Sequence, residues 1–110
     1  MCIFCKIAAA ELTTQFLYED DRVLAFRDLD PQAPTHILII PRAHYTDVEE
    51  LAAREPETLS HLFVVAEELA RVEGLTGHRT LFNTGSSAGQ SVFHAHLHLL
   101  GGRPFAWPPG

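Results

Sequence analysis

The sequence predicts one domain of mixed α and β structure, on three observations. Thr35 to Pro41 is a β-branched apolar run, residues 55 to 74 carry one long amphipathic helical pattern, and His94 to Leu100 alternates histidines with apolar residues. The 110 residues fit a single domain, 1–110, able to bury one core without disulfides. Apolar residues make up 46% and charged residues 20%, an ordinary globular composition. A net charge of -6 offers no broad basic face, so a nucleic-acid partner is not expected. No apolar run approaches the roughly 20 residues of a membrane span, and Met-Cys-Ile-Phe-Cys-Lys does not read as a secretory signal. The expectation is a soluble cytoplasmic protein with no membrane partner.

In chain order, Ile3, Phe4, Ile7, Ala8 and Leu12 have the spacing of a short amphipathic helix over 3–12. Phe16 to Glu19 and Val23 to Asp28 read as a hairpin, although its Asp-Asp-Arg turn lacks glycine. Leu29 to Pro34 holds two prolines and should turn the chain. Thr35 to Pro41 is a central buried strand ended by proline, with His36 near its start. Arg42 to Leu51 should be loop with one helical turn, and His44 falls in it. Pro56 suits a first helical turn and the flanking acids Glu55 and Glu57 suit the positive end of the dipole. Leu59, Leu62, Phe63, Ala66, Leu69 and Ala70 then form the core stripe, with His61 on the surface, until Gly74 stops the helix. Thr80 to Asn83 is a short strand. The uncharged loop Asn83 to Ser91 follows, with Gly85 and Gly89 and three serines, and can turn several amides toward one anion.

That loop feeds the histidines. In a strand, His94, His96 and His98 share one face, roughly 6.5 Å apart at Cα, while Ala95, Leu97 and Leu99 take the other. One isolated strand histidine is usually a satisfied core side chain; three in strict alternation call for chemistry. Imidazoles so placed can clamp a metal, or serve phosphoryl or nucleotidyl transfer as nucleophile and proton donors beside an amide-rich loop. With neither a Walker-type lysine motif nor an acidic magnesium cluster, the transfer reading runs on histidine with no cofactor required. The only cysteines, Cys2 and Cys5, form a Cys-x-x-Cys that is either half of a metal site or a redox pair.

Residues 94–100 satisfy His-φ-His-φ-His-φ-φ, with φ apolar, and so resemble the signature of the histidine-triad superfamily. Asp28, the Pro31 to His36 stretch, Ile39-Ile40-Pro41, Asn83-x-Gly85, Gly89-Gln90-Ser91-Val92 and the Gly101 to Gly110 tail with its Trp-Pro-Pro-Gly are similar to the Hint branch of nucleotide-binding proteins. The resemblance implies a HIT-like α+β fold, a five-stranded antiparallel sheet with one long and one short helix, and a homodimer. It also implies a purine nucleoside phosphoramidase, a hydrolase cleaving the P-N bond of AMP- or GMP-type substrates. In that reading His96 is the nucleophile, His98, His94 and His36 hold tautomers and relay protons, and Ser91 contacts the phosphate and leaving group. Nucleotide contacts are implied for Asp28, Leu29, Asn83, Gly89, Gln90, Ser91, His96 and His98, with Trp107 reaching the other subunit's site.

Relatives with this Cys-x-x-Cys imply a structural zinc on Cys2, Cys5, His44 and His94, which would make His94 a support rather than a reactant. Three other readings remain. The first is a nucleotide-binding interaction module with incidental turnover, the second a dinucleoside polyphosphate hydrolase, and the third a zinc hydrolase in which chelation would stop the chemistry.

Overall fold

The structure, a computed structural model, describes residues 2–110. In chain order its elements are α1 (Ile3–Ala8), β1 (Tyr18–Glu19), β2 (Val23–Arg27), β3 (Thr35–Pro41), α2 (Val48–Arg54), α3 (Pro56–Val72), β4 (His78–Leu81) and β5 (Leu97–Gly101), with a 3-10 turn at Ser86–Ala88. The strands form one five-stranded antiparallel sheet in the order β1-β2-β3-β5-β4. The β5 strand follows β4 in the chain but lies between β3 and β4.

Both faces of the sheet are covered, which is why β3 reads as a nearly unbroken apolar run and is buried at every position. Ile37 and Ile39 join Val23, Ala25, Leu97 and Leu99 under Leu62, Val65, Ala66 and Leu69 of α3. Leu38 and Ile40 point the other way and meet Leu24, Phe26 and the α1 residues Phe4 and Ile7. Period-two alternation thus gives the sheet one structural face, under α3, and one face shared by α1 and the histidines.

Several boundaries differ from expectation for identifiable reasons. Instead of running to Leu12, α1 stops at Ala8, because Ala10 turns left-handed (φ 60) and the Glu11 amide donates back to the Lys6 carbonyl. The expected loop before the long helix contains α2, so there are two short helices rather than one. The Asp47 side chain caps it by accepting from the Glu50 amide at 2.9 Å, and Glu50 accepts from the Thr46 amide at 2.7 Å. Along α3, Val65 and Thr58 are buried whereas Phe63 faces outward, 45% exposed, beside Val64. The strand expected at 80–83 is shifted to 78–81, and β5 begins at Leu97, so His94 to His96 form its lead-in.

The hairpin turn without glycine is built on Asp20. Its carboxylate accepts from the Arg22 and Val23 amides, both at 2.8 Å, from the Tyr18 hydroxyl at 2.8 Å, and pairs with His61 at 2.7 Å. His61 is therefore partly covered and engaged, not a free surface residue. Burial alone would raise the Asp20 carboxyl pKa, but these bonds outweigh it and hold the group well below the usual carboxylate range. Asp20→Ala should cost about 2 to 4 kcal/mol, seen as a lower urea midpoint at unchanged m-value. An unaltered midpoint would show that the turn stands without the carboxylate.

Candidate functional site

The histidines sit where β3 and β5 lie side by side on the face opposite α3. His36 stands on β3, His98 on β5 faces Leu38, and His94 and His96 precede β5. The Ala95 amide donates to the Tyr45 carbonyl at 2.7 Å, fastening this lead-in to the loop that carries His44. His94 is fully buried and His96 is 7% exposed.

Backbone groups of known polarity fix the tautomer of each ring. His96 Nδ1 lies 2.8 Å from the His94 carbonyl, which only accepts, so Nδ1 carries the proton and Nε2 keeps its lone pair. His94 Nε2 lies 2.8 Å from the Pro41 carbonyl and so carries the proton, leaving the lone pair on Nδ1. The Gln32 amide donates to His36 Nδ1 at 3.0 Å, which puts the proton on Nε2, from which it is donated to His98 Nδ1 at 2.9 Å. The remaining proton of His98 is then on Nε2. Among the described residues, that nitrogen is the one buried side-chain polar atom without a partner.

Burial lowers the pKa of His36, His94 and His96. Burial, with His96 and His36 alongside, pushes that of His98 down to about 4. The rings are thus neutral near pH 7, as the tautomer chain requires. Asp28 lies 3.5 Å from His36 Nε2 and favours a proton on that ring, partly offsetting burial.

His96 and His98 open into a cavity of about 730 Å³. Asp28, Leu29, Ser91 and Val92 line one side, and Ile3, Phe4 and Ile7 of α1 with Phe26 make an apolar wall. The structure thereby brings together Asp28, Leu29, Ser91, His96 and His98. His36 supports the cavity from behind through His98. Asn83 lies against Gly89, which with Gly85 takes a positive φ (95° and 85°) where the loop turns around Ser86–Ala88. Gln90 is buried and spends its side chain on the loop itself, donating to the Thr46 and Val92 carbonyls and accepting from the Gly85 amide. Its amide also donates to the Gly85 carbonyl. Gln90 thus shapes the loop rather than lining the cavity. Trp107 is 82% exposed and outside the cavity of its own chain. Sequence reasoning missed Phe4, whose ring meets His96 and His94 edge-on at 5.1 and 5.9 Å between centroids. It also missed Thr13, Thr14 and Gln15 at the cavity rim, which no motif marks.

Cys2, Cys5, His44 and His94 form a second constellation. The two Sγ atoms are 3.2 Å apart, the two Nδ1 atoms 3.2 Å, and the four sulfur-to-nitrogen distances run 3.6, 3.4, 3.3 and 3.6 Å. Six such edges close a tetrahedron. Bond lengths to zinc of about 2.3 Å for sulfur and about 2.0 Å for nitrogen imply edges of roughly 3.3 to 3.8 Å, so the donor set fits, with the thiol pair slightly close. The His94 ring is already oriented by its N-H to the Pro41 carbonyl, the usual outer support of a metal-binding imidazole. Burial and the adjacent Cys2 raise the Cys5 thiol pKa, so a cation entering here displaces protons. Asp28, His36 and His98 also cluster. The tautomer chain assigns protons, not lone pairs, to His36 Nε2 and His98 Nε2, so that trio does not offer a cation the free ring nitrogens that the first set does.

A family model described as the HIT domain matches residues 9–105. A 14 kDa zinc-binding protein of Zea mays is 50% identical over 111 residues, covering 98% of this chain and 87% of that protein. The crystal structure of a HIT family hydrolase from Legionella pneumophila superposes with a TM-score of 0.95 at 48% identity and full coverage of both chains. A histidine triad nucleotide-binding protein from Candida albicans superposes with a TM-score of 0.83 at 31% identity, covering 100% of this chain and 85% of the other.

Proposed function

The chain belongs to the HIT domain family, and from that membership we propose that it is a nucleotide-binding hydrolase of the Hint branch. In this reading it cleaves the P-N bond of purine nucleoside 5'-phosphoramidates through a nucleotidyl-histidine. One observation carries the reading: fixed tautomers leave the lone pair of His96 Nε2 and the unpartnered N-H of His98 Nε2 on residues lining the same cavity. The first is a neutral nucleophile at the pH where phosphoramidates persist. The second is a donor that costs about 1 to 3 kcal/mol until a ligand oxygen or nitrogen accepts from it.

The nucleoside would lie along the wall of Ile3, Phe4, Ile7 and Phe26, with Leu29 over the base and the ribose hydroxyls on Asp28. Its phosphate would rest between His98 and Ser91. Attack by His96 Nε2 forms a P-N bond to the ring as the bond to the amine breaks. The departing amine takes up a proton that the His36–His98 pair, neutral in the free chain, gains from solvent when the substrate's phosphate anion joins the Asp28 carboxylate beside it. Water then hydrolyses the nucleotidyl-histidine, releasing nucleoside monophosphate and returning the proton. Zinc bound by Cys2, Cys5, His44 and His94 would supply structure, since all four positions of the tetrahedron are protein ligands.

A homodimer belongs to the same proposal. The outward Phe63 and Val64 of α3, with Phe63 against Phe82 just beyond the edge strand β4, offer an apolar region for a second copy, and the exposed Trp107 would reach that copy's cavity. The test is mass spectrometry of protein quenched while turning over an AMP phosphoramidate. A nucleoside monophosphate adduct on His96 is expected. An unmodified His96 during turnover would refute the mechanism.

A further inference from the structure

The clamp and the cavity share one element. Cys2 and Cys5 flank Ile3 and Phe4, so the six-residue helix α1 presents thiols to His44 and His94 and apolar side chains to the cavity. A helix this short has no stability of its own in water. It is held by Phe4 and Ile7 packed on the sheet and by whatever joins its two thiols to the histidines. A second link runs through His94. Its ring belongs to the clamp, its carbonyl accepts the Nδ1-H of His96 at 2.8 Å, and Phe4 lies edge-on to both rings.

We infer that metal occupancy of the clamp and nucleotide affinity of the cavity are thermodynamically linked, each tightening the other by the same factor. This rests on the nucleotide reading above. With a metal bound, both thiols and the His94 ring are fixed, and α1 stands as a finished wall. Without it, nothing ties the two thiols to His44 and His94, and nucleotide binding must itself order α1, which lowers the observed affinity. Linkage is reciprocal, so nucleotide must raise metal affinity equally. Zinc status is thereby read out as substrate affinity although no metal touches the substrate.

The test compares the full chain loaded with zinc and stripped by chelator. AMP titration should give a Kd about tenfold weaker in the stripped form, and saturating AMP should tighten zinc, measured against a competing chelator, by the same factor. Hydrogen exchange gives an independent reading: zinc should protect the amides of α1. Equal AMP affinity in two folded forms overturns the linkage. If AMP binds neither form, the nucleotide reading falls and the linkage falls with it, whereas equal binding to both forms leaves that reading standing and overturns the linkage alone.

Discussion

His96→Ala is expected to lower turnover of a nucleoside phosphoramidate by at least about four orders of magnitude while AMP binding changes only a few-fold. The asymmetry follows from the ring's place. His96 is almost fully buried, spends Nδ1 on a backbone carbonyl, and has one remaining function at Nε2. In the proposed binding mode the nucleoside contacts belong to α1, Phe26, Asp28 and Leu29, which the substitution leaves standing. His98→Ala, by contrast, removes a donor and not the nucleophile, and should cost about 10²- to 10³-fold. Single-turnover kinetics with both variants separate the two roles. A His96→Ala protein that retains turnover would end the nucleotidyl-histidine mechanism. One that loses turnover yet keeps its effect in the cell would favour the interaction-module reading.

Acidification from pH 7 to about 4 is expected to remove several kcal/mol of stability. His98 titrates near 4 in the folded chain against an ordinary 6.5. Between those values the unfolded chain binds the proton that the folded chain refuses, so stability rises with pH. The contribution is complete above 6.5 and is lost as pH falls toward 4. A shift of this size corresponds to on the order of 3 kcal/mol for His98 alone. His36, His94 and His96 are displaced in the same direction by burial and steepen the slope. Asp20 acts lower, since a carboxylate held below its ordinary 3.8 loses its contribution only as pH drops past that value. Urea midpoints on chelator-treated protein at pH 7, 5.5 and 4.5 measure the slope, and His98→Gln should flatten it. A midpoint independent of pH across this range would mean that the rings are not held neutral.

The elements that carry chemistry were legible because their signals are dense. Three alternating histidines, an apolar run ended by proline and a helix opened by proline each leave few alternatives, and strand, sheet face and long helix followed. Asp28, Leu29, Ser91, His96 and His98 meet at one cavity although 28–29 and 91–98 are far apart in the chain; the family resemblance, not spacing, proposed that meeting. The failures were local. The missing glycine is a poor guide to the Asp20 turn, because an aspartate two and three residues ahead of free amides closes it instead. The capping pair Asp47 and Glu50 is the sequence signal for α2, three residues apart at the helix start. Phe63 fits the helical period yet faces outward, since period alone does not fix the width of the buried stripe. The role of Phe4 was illegible because it depends on a helix docking across the sheet, which no pattern within residues 3–12 encodes.

The placement of β5 between two earlier strands bears on how the protein comes into being. Until this late segment arrives, β3 and β4 each have an open flank where its hydrogen bonds belong, and the sheet is split by a gap one strand wide. Filling the gap is a long-range pairing step of the kind that slows folding and leaves sticky edges exposed meanwhile. Because the same segment delivers His98 and draws His94 and His96 into place, a chain shortened before it lacks all three of these histidines along with the middle of its sheet. Closing the sheet and assembling the histidine face are a single event.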